Sequence, residues 1–224
     1  MGKKMLMRKF AIVPTYPDGL FAYYNFNDNV LDSFGNWNGT PTNAAYISGK
    51  MGNALSLVGT GYVMDVPKLT YSSFSIFCWI KTTQTAEQLI FSNRGGTSSF
   101  PIVQMAIYQG KINTRLRSNA NTGIITLASS NTVNNNVWRF VGFTFNVATG
   151  LIQHYIDGVA NTSGTYAGGT FAPLGQSAIG VDAYGFTYGK FIGGIDGMAF
   201  FNKVLTAAEV TAIYDTQNAG SELI

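Results

Sequence analysis

The stretch Phe191-Ile192-Gly193-Gly194-Ile195-Asp196-Gly197-Met198-Ala199-Phe200-Phe201-Asn202-Lys203-Val204-Leu205-Thr206-Ala207-Ala208-Glu209-Val210 decides the fold. Its first half is an extended apolar run, and residues 190–202 read as a strand. Its second half switches to helical chemistry. Thr206 supplies a side-chain acceptor ahead of an apolar-periodic run, and Glu209 three residues later completes a capping box. Leu205 before the cap and Val210 at the fourth helical position fit a hydrophobic staple. Val210, Ile213 and Tyr214 then mark one apolar face at helical spacing. The pattern is a strand that feeds one short C-terminal helix.

Everything upstream reads as strands and turns. Residues 20–26 form an aromatic-rich strand. Residues 27–43 are crowded with Asn and Asp and carry Gly35, Gly39 and Pro41, which predicts a long irregular loop, and loops of that length usually have a job. Residues 53–66 read as a hairpin turning at Gly59-Thr60-Gly61. In residues 74–81, Phe74, Ile76, Cys78 and Ile80 alternate with Ser75, Phe77, Trp79 and Lys81. Both faces are largely apolar, which predicts a central strand covered on both sides. Further strands are predicted over 88–92, 102–108, 111–117, 124–127, 137–145, 151–156 and 177–181. Gln109-Gly110 and Asp157-Gly158 are two-residue turns of the kind that need positive φ. Residues 160–175, rich in Gly, Thr and Ala, read as loop. Short strands with regular turns argue for a sandwich or barrel.

Composition agrees. The chain has 224 residues, of which 46% are hydrophobic and 14% aromatic, enough for a full core without staples. Charged residues are only 11%, against about a quarter in ordinary globular domains. Of the fourteen basic residues, Lys3, Lys4, Arg8 and Lys9 sit in an N-terminal arm, residues 1–18. Without them the body is near neutral, ten basic residues against eleven acidic. That is a poor footprint for nucleic acid, so no nucleic-acid partner is expected. The single cysteine, Cys78, excludes an intramolecular disulfide and reads as a small buried hydrophobe. Arg8 and Lys9 interrupt the N-terminal apolar residues, so neither a signal peptide nor a membrane span is expected.

Five segments, in order, resemble the laminin-G-like branch of the concanavalin A-like lectins and glucanases. They are the closing stretch quoted above; Tyr24-Asn25-Phe26 with Asp32-Ser33-Phe34-Gly35-Asn36; Gly49-Lys50-Met51-Gly52-Asn53-Ala54-Leu55; Phe74 to Lys81; and Trp138-Arg139-Phe140-Val141 through Tyr155-Ile156-Asp157-Gly158. The resemblance spans residues 19–217 and leaves 218–224 as a C-terminal tail. It implies an all-β, two-sheet antiparallel jelly-roll sandwich with one short C-terminal helix. It also implies binding modules, adhesion domains and virion surface proteins as functional precedents, with some glycoside hydrolases among the relatives.

A glycosidase of this fold needs two carboxylates flanking the scissile bond. The chain has three glutamates, Glu87, Glu209 and Glu222; the second caps the helix, the third lies in the tail, and Glu87 has no acidic neighbour in sequence. No strand carries a paired carboxylate motif, so no enzymatic activity is expected. His154, the only histidine, offers neither a catalytic set nor a metal site on its own. The one cofactor the resemblance implies is a structural Ca²⁺ between the first irregular loop and the Ile-Asp strand. The matching positions are Asp32 and Asp196, with Asp28 and Asn36 nearby. Sugar binding needs aromatic faces beside Asn or Asp, and the best candidates are Trp37 with Asn38 in the first loop and Tyr184 with Tyr188 near the last strand.

The sequence therefore predicts a non-catalytic, surface-displayed protein with a lectin-like domain, most specifically a virion (phage) decoration or appendage protein. Its N-terminal arm would dock on other protein subunits of the particle, and glycans would be its ligands. The alternative is a soluble or exported carbohydrate-binding or adhesion module, with a glycoside hydrolase ranked behind both. Its expected place is the virion surface or the extracellular space.

Overall fold

The computed structural model describes residues 16–95, 102–120, 124–172 and 175–224. The basic residues of the predicted arm lie outside them. In chain order the strands begin with β1 (Leu20–Tyr24), β2 (Thr40–Thr42), β3 (Ala45–Ser48), β4 (Asn53–Val58) and β5 (Tyr62–Met64). They continue with β6 (Phe74–Lys81), β7 (Gln88–Arg94), β8 (Ile102–Tyr108), β9 (Lys111–Arg117) and β10 (Ile124–Thr132). Last come β11 (Arg139–Phe145), β12 (Leu151–Ile156), β13 (Val159–Thr165), β14 (Ser177–Ile179) and β15 (Ile192–Phe201), and then helix α1 (Ala207–Asn218).

The strands form two antiparallel sheets among the described residues. The first has the order β13-β12-β11-β6-β15-β4-β3, with β1 pairing the C-terminal half of β15; the second has the order β10-β9-β8-β7-β14-β5-β2. This is the predicted jelly-roll sandwich. The core between the sheets takes Phe74, Ile76, Cys78 and Ile80 from one face of β6, together with Val103, Met105, Ile107, Ile112 and Leu116 from the second sheet.

The other face of β6 is also buried. Phe77 and Trp79 belong to a second cluster with Tyr23, Met51, Phe140, Phe201, Val210, Ile213 and Leu223, which lies beneath α1. The predicted double cover of β6 is thus met by the opposite sheet on one side and the helix on the other. The capping box forms as read: Thr206 Oγ1 accepts from Glu209 N at 3.3 Å, and Glu209 Oε2 accepts from Thr206 N at 2.7 Å. Lys203 also donates to Glu209, and this contact leads in holding the Glu209 carboxyl down at about 2. Ser75 fixes the entry to the helix, donating to Lys203 O and accepting from Leu205 N.

Three expectations need correction. Residues 53–66 are not a hairpin. β4 pairs β3 and β15 in the first sheet, whereas β5 pairs β14 and β2 in the second. The Gly59-Thr60-Gly61 link therefore crosses from one sheet to the other. At Gly61 a Cβ would lie 2.4 Å from Asn43 O, so the crossing requires glycine there. Sequence patterning shows that a turn exists but not whether its arms pair, because a short link can span either one strand spacing or the roughly 10 Å between sheets. Second, residues 160–165 of the predicted loop belong to β13, an edge strand on β12. Its side chains are largely exposed, so it lacks the alternation that reveals a half-buried strand. Third, the loop predicted over 27–43 contains β2, and β3 follows it unpredicted. Both are short edge strands with exposed faces.

The two-residue turns behave as read. Gln109 and Gly110 have φ of 52° and 73°, and Asp157 and Gly158 have 49° and 77°. The C-terminal residues are tied down: Leu223 is buried in the cluster under α1, and Glu222 accepts hydrogen bonds from Tyr23 and Asn27. No helix among the described residues is long and apolar enough to cross a membrane.

Candidate ligand-binding site

The face of the second sheet that points away from the core is unusually polar. In β9, Ile112, Thr114 and Leu116 turn inward and are buried, so Lys111, Asn113, Arg115 and Arg117 turn outward. In β8, Val103, Met105 and Ile107 turn inward, leaving Gln104, Ala106 and Tyr108 on the outer face.

A loop, residues 182–189, folds over part of this face. Asp182 N donates to Tyr188 O at 2.9 Å and closes the loop, while Leu89 N donates to Gly189 O at 2.7 Å and ties it to β7. Phe186 stacks on Tyr62 of β5 with ring centres 5.2 Å apart, over a small apolar patch of Ala178, Val181 and Ala183. The loop thereby presents Tyr184 and Tyr188 to solvent, 46% and 53% exposed.

Glu87 joins the loop to the sheet. One of its carboxylate oxygens accepts from the Tyr188 hydroxyl at 2.5 Å; the other lies 3.3 Å from Nη2 of Arg115. The bond to Glu87, followed by burial, raises the Tyr188 phenol above its usual range. Arg115 Nη1 reaches Gln104 Oε1 at 3.4 Å, and Gln104 Nε2 donates to Ser92 Oγ at 3.2 Å. Ser92 in turn contacts Asp182, which forms a buried ion pair with Arg94. A polar chain thus runs from a buried, anchored pair to a half-buried arginine beside an exposed aromatic ring. Of this constellation the sequence singled out Tyr188 as a ligand residue and Glu87 only as an isolated acid. Arg115 and Gln104 were missed, although the alternating polar residues of β9 were visible.

The predicted ligand residues divide between two places. Tyr184 and Tyr188 belong to the exposed loop just described. Trp37 is half-buried against the core between the sheets, and its carbonyl accepts from the Tyr24 hydroxyl. Asn38 is exposed and uses its Oδ1 to accept from Asp32 N at 3.2 Å.

The predicted metal ligands do not form one oxygen shell. Asp32 is buried and its carboxylate accepts from the backbone N–H of Tyr23, Phe34, Asn36 and Trp37, so both oxygens are already used to gather the first loop. Asp196 Oδ2 accepts from Lys50 N at 2.8 Å and Met51 N at 2.9 Å. Asp28 pairs with Asn53 Nδ2, and the Asn36 side chain is exposed. Backbone donors aimed at a carboxylate are the surroundings of a loop anchor, whereas Ca²⁺ needs converging oxygens. Among the described residues no group of three or more His, Cys, Asp or Glu is placed to hold a metal ion. The four positions do not fit a calcium centre.

Asp196 is nevertheless unusual. It is fully buried beneath α1, and its Oδ1 has no hydrogen-bond partner. Burial raises its carboxyl to about 7, against the pull of the Met51 and Lys50 amides. Nearby, Trp79 Nε1 donates to Gln217 Oε1 at 3.0 Å and Gln217 Nε2 donates to the Tyr23 hydroxyl at 3.2 Å. Gly197 follows at φ 53°, where a Cβ would lie 2.5 Å from Met51 Cε and 2.9 Å from Gln217 Nε2. This glycine lets β15 bulge between Asp196 and Ala199 and turns the carboxylate toward residues 50–51.

The remaining candidates for chemistry are packing residues. His154 is buried between the sheets with Nε2 2.8 Å from Thr114 Oγ1, and burial lowers it to about 4, so it is neutral at ordinary pH. Cys78 is buried in the main core and its thiol is pushed up by burial. Glu87 and Asp182 are each committed to an arginine.

The model of a family described as the concanavalin A-like lectin/glucanases superfamily matches residues 58–211. No curated protein matches the chain. Among solved structures, the binding domain of Paraclostridial Mosquitocidal Protein 1 is similar at a TM-score of 0.71 and 18% identity, covering 88% of this chain and 52% of that one. Domain 4 of AbnA, an extracellular arabinanase from Geobacillus stearothermophilus, was solved in complex with arabinotriose. It is similar at a TM-score of 0.69 and 23% identity, covering 89% of this chain and 100% of that one. The ligand binding domain of botulinum neurotoxin serotype D, in complex with N-acetylneuraminic acid, is similar at 0.66 and 18% identity, covering 90% and 52%. The chain thus spans about half the length of the mosquitocidal-protein and neurotoxin binding domains it matches. At these identities the likeness is one of fold.

Two outcomes follow for the carboxylates. The fold favours the protonated form of Asp196. That contribution is whole below the unfolded value of about 4, and it is lost as pH rises through about 7. Asp196→Asn is expected to match the parent near pH 4 and to exceed it at pH 8 by on the order of 4 kcal/mol in urea unfolding. A difference that does not grow with pH would show that Asp196 is not strained by its charge. For calcium, thermal midpoints in excess Ca²⁺ and in chelator are expected to coincide, and a midpoint raised by Ca²⁺ would mean that oxygen ligands do converge.

Proposed function

The chain belongs to the concanavalin A-like lectin/glucanases superfamily, and on that footing we propose that it is a non-catalytic carbohydrate-binding module. The observation that carries this reading is the exposed Tyr188 ring, held in place by Glu87, which also holds Arg115 on the outer face of the second sheet. A sugar ring offers C–H faces that pack on an aromatic ring and hydroxyls that need fixed donors and acceptors. Tyr184, Tyr188, Arg115 and Glu87 supply both kinds of contact on one surface. Two of the similar structures were solved with saccharides bound, arabinotriose in one and N-acetylneuraminic acid in the other, which supports the same class of ligand.

A glycan array probed with the full chain is expected to give saccharide binding that falls at least about tenfold in the Tyr184→Ala, Tyr188→Ala double variant. Absence of binding to every saccharide would sink the proposal.

A second, compatible reading is display on a particle such as a virion. Its support is the contrast between the basic N-terminal arm, with Lys3, Lys4, Arg8 and Lys9, and a near-neutral body. In this reading the arm docks on other subunits and the sandwich faces outward. Deleting residues 1–15 is then expected to abolish incorporation into the particle and to leave saccharide binding intact. Normal incorporation of the shortened chain would remove the arm's role.

A further inference from the structure

We infer that the saccharide bound on the outer face of the second sheet is an acidic one, a sugar that carries a carboxylate, and that Arg115 is the residue that reads the charge. This rests on the carbohydrate-binding reading above and specifies its ligand.

The argument starts from register. Side chains on this face form rows across β8, β9 and β10. Tyr108 stands opposite Lys111; Ala106, Asn113 and Ala128 stand in line; Gln104, Arg115 and Thr126 form the next row; and Ile102 stands opposite Arg117. Rows on one face are two residues apart, or roughly 7 Å. The row of Ala106, Asn113 and Ala128 is low, because two of its three members are alanines. Longer rows flank it, and each carries a cation, Lys111 on one side and Arg115 on the other. Ala106 is nearly closed off, while Ala128 and Thr126 are exposed, so the depression opens toward β10. Its width suits one pyranose ring laid between the two cations.

Arg115 has capacity to spare. A guanidinium has five N–H donors in a planar fork. Its two contacts named above, to Glu87 at 3.3 Å and to Gln104 at 3.4 Å, are both long, and the side chain is 30% exposed. A planar carboxylate from a ligand would meet this fork with two parallel hydrogen bonds, whereas an ammonium could offer only a point charge. Glu87 then has a positioning role. It spends one oxygen on Arg115 and the other on the Tyr188 hydroxyl, so the guanidinium and the aromatic ring are set relative to each other before the ligand arrives. The charges on the face agree. Lys111 and Arg115 project from one strand, and the acid beside them, Glu87, pairs with Arg115. Against these two cations Glu87 supplies one negative charge, and a ligand carboxylate would supply the second.

The test is calorimetric titration of the full chain with acidic saccharides and their neutral counterparts: sialyllactose against lactose, and trigalacturonic acid against its methyl ester. At least one acidic member is expected to bind about tenfold or more tightly than its neutral partner. That advantage should shrink as salt is raised. Arg115→Gln is expected to erase the preference, Arg115→Lys to restore only part of it, and Lys111→Gln to weaken it. Should Arg115→Gln fail to fold, the ratio of acidic to neutral binding and its salt dependence in the parent chain decide the matter alone. Equal affinity for both members of each pair, with binding still lost in Tyr188→Ala, overturns the acidic ligand and leaves the carbohydrate reading standing. A sulfated sugar that outbinds both carboxylates overturns the carboxylate. No binding to any saccharide here or on the array overturns both readings.

Discussion

The rest of the structure depends on β6 being apolar on both faces. Phe74, Ile76, Cys78 and Ile80 require cover from one side, and Phe77 and Trp79 require it from the other. A bare sheet can satisfy one of these demands by packing on a second sheet, but not both. The second demand is met by α1 and the C-terminal residues. Tyr214 stacks on Trp79 with ring centres 5.6 Å apart, Phe77 stacks on Phe140 at 5.3 Å, and Val210, Ile213 and Leu223 close the cluster. The capping box at Thr206 and Glu209 therefore does more than finish a helix: it fixes where the cover of β6 begins.

Buried carboxylates carry the second constraint. The loop after β1 must turn sharply without sheet partners, and its amide hydrogens need acceptors. Asp32 gathers four of them, and Asp196 gathers the amides of Lys50 and Met51 across the sheet. The two aspartates differ in the balance they strike. Asp32 uses both oxygens. Asp196 leaves Oδ1 unpaired and lies deeper, so burial, reinforced by the Glu222 charge, outweighs the amides around it and raises its carboxyl to about 7.

These features show which parts were legible in the sequence. The closing strand and helix were legible because capping and helical spacing are local chemistry. β6 was legible because its double apolar face is a property of eight consecutive residues. The β4–β5 crossing was not, since Gly59-Thr60-Gly61 looks the same whether its arms pair or part. β13 was not, because an exposed edge strand has no alternation to read. In the candidate site, Tyr184 and Tyr188 stood out as aromatics in a Gly-rich segment. The link from Tyr188 to Glu87, 101 positions apart, and from Glu87 to Arg115 arises only when β7, β9 and the 182–189 loop meet. Asp32 and Asp196 were legible as important but not as to why: the same acidic letters suit a cation or a cluster of amides, and only the donors around them decide.

The same constraint that shapes the core also selects the face available for binding. The first sheet spends the outer face of its central strands on α1 and the C-terminal residues, because Phe77 and Trp79 must be covered there. The second sheet has no such apolar demand on its outer side. Its β9 places Lys111, Asn113, Arg115 and Arg117 there, and only part of the face is roofed by the 182–189 loop. That loop is held at both ends and by the Phe186–Tyr62 stack, so it brings its aromatic rings to this outer face without further ordering. A ligand therefore meets a surface whose aromatic and charged elements are already fixed to the sheet, and its binding need not pay again for their immobilisation.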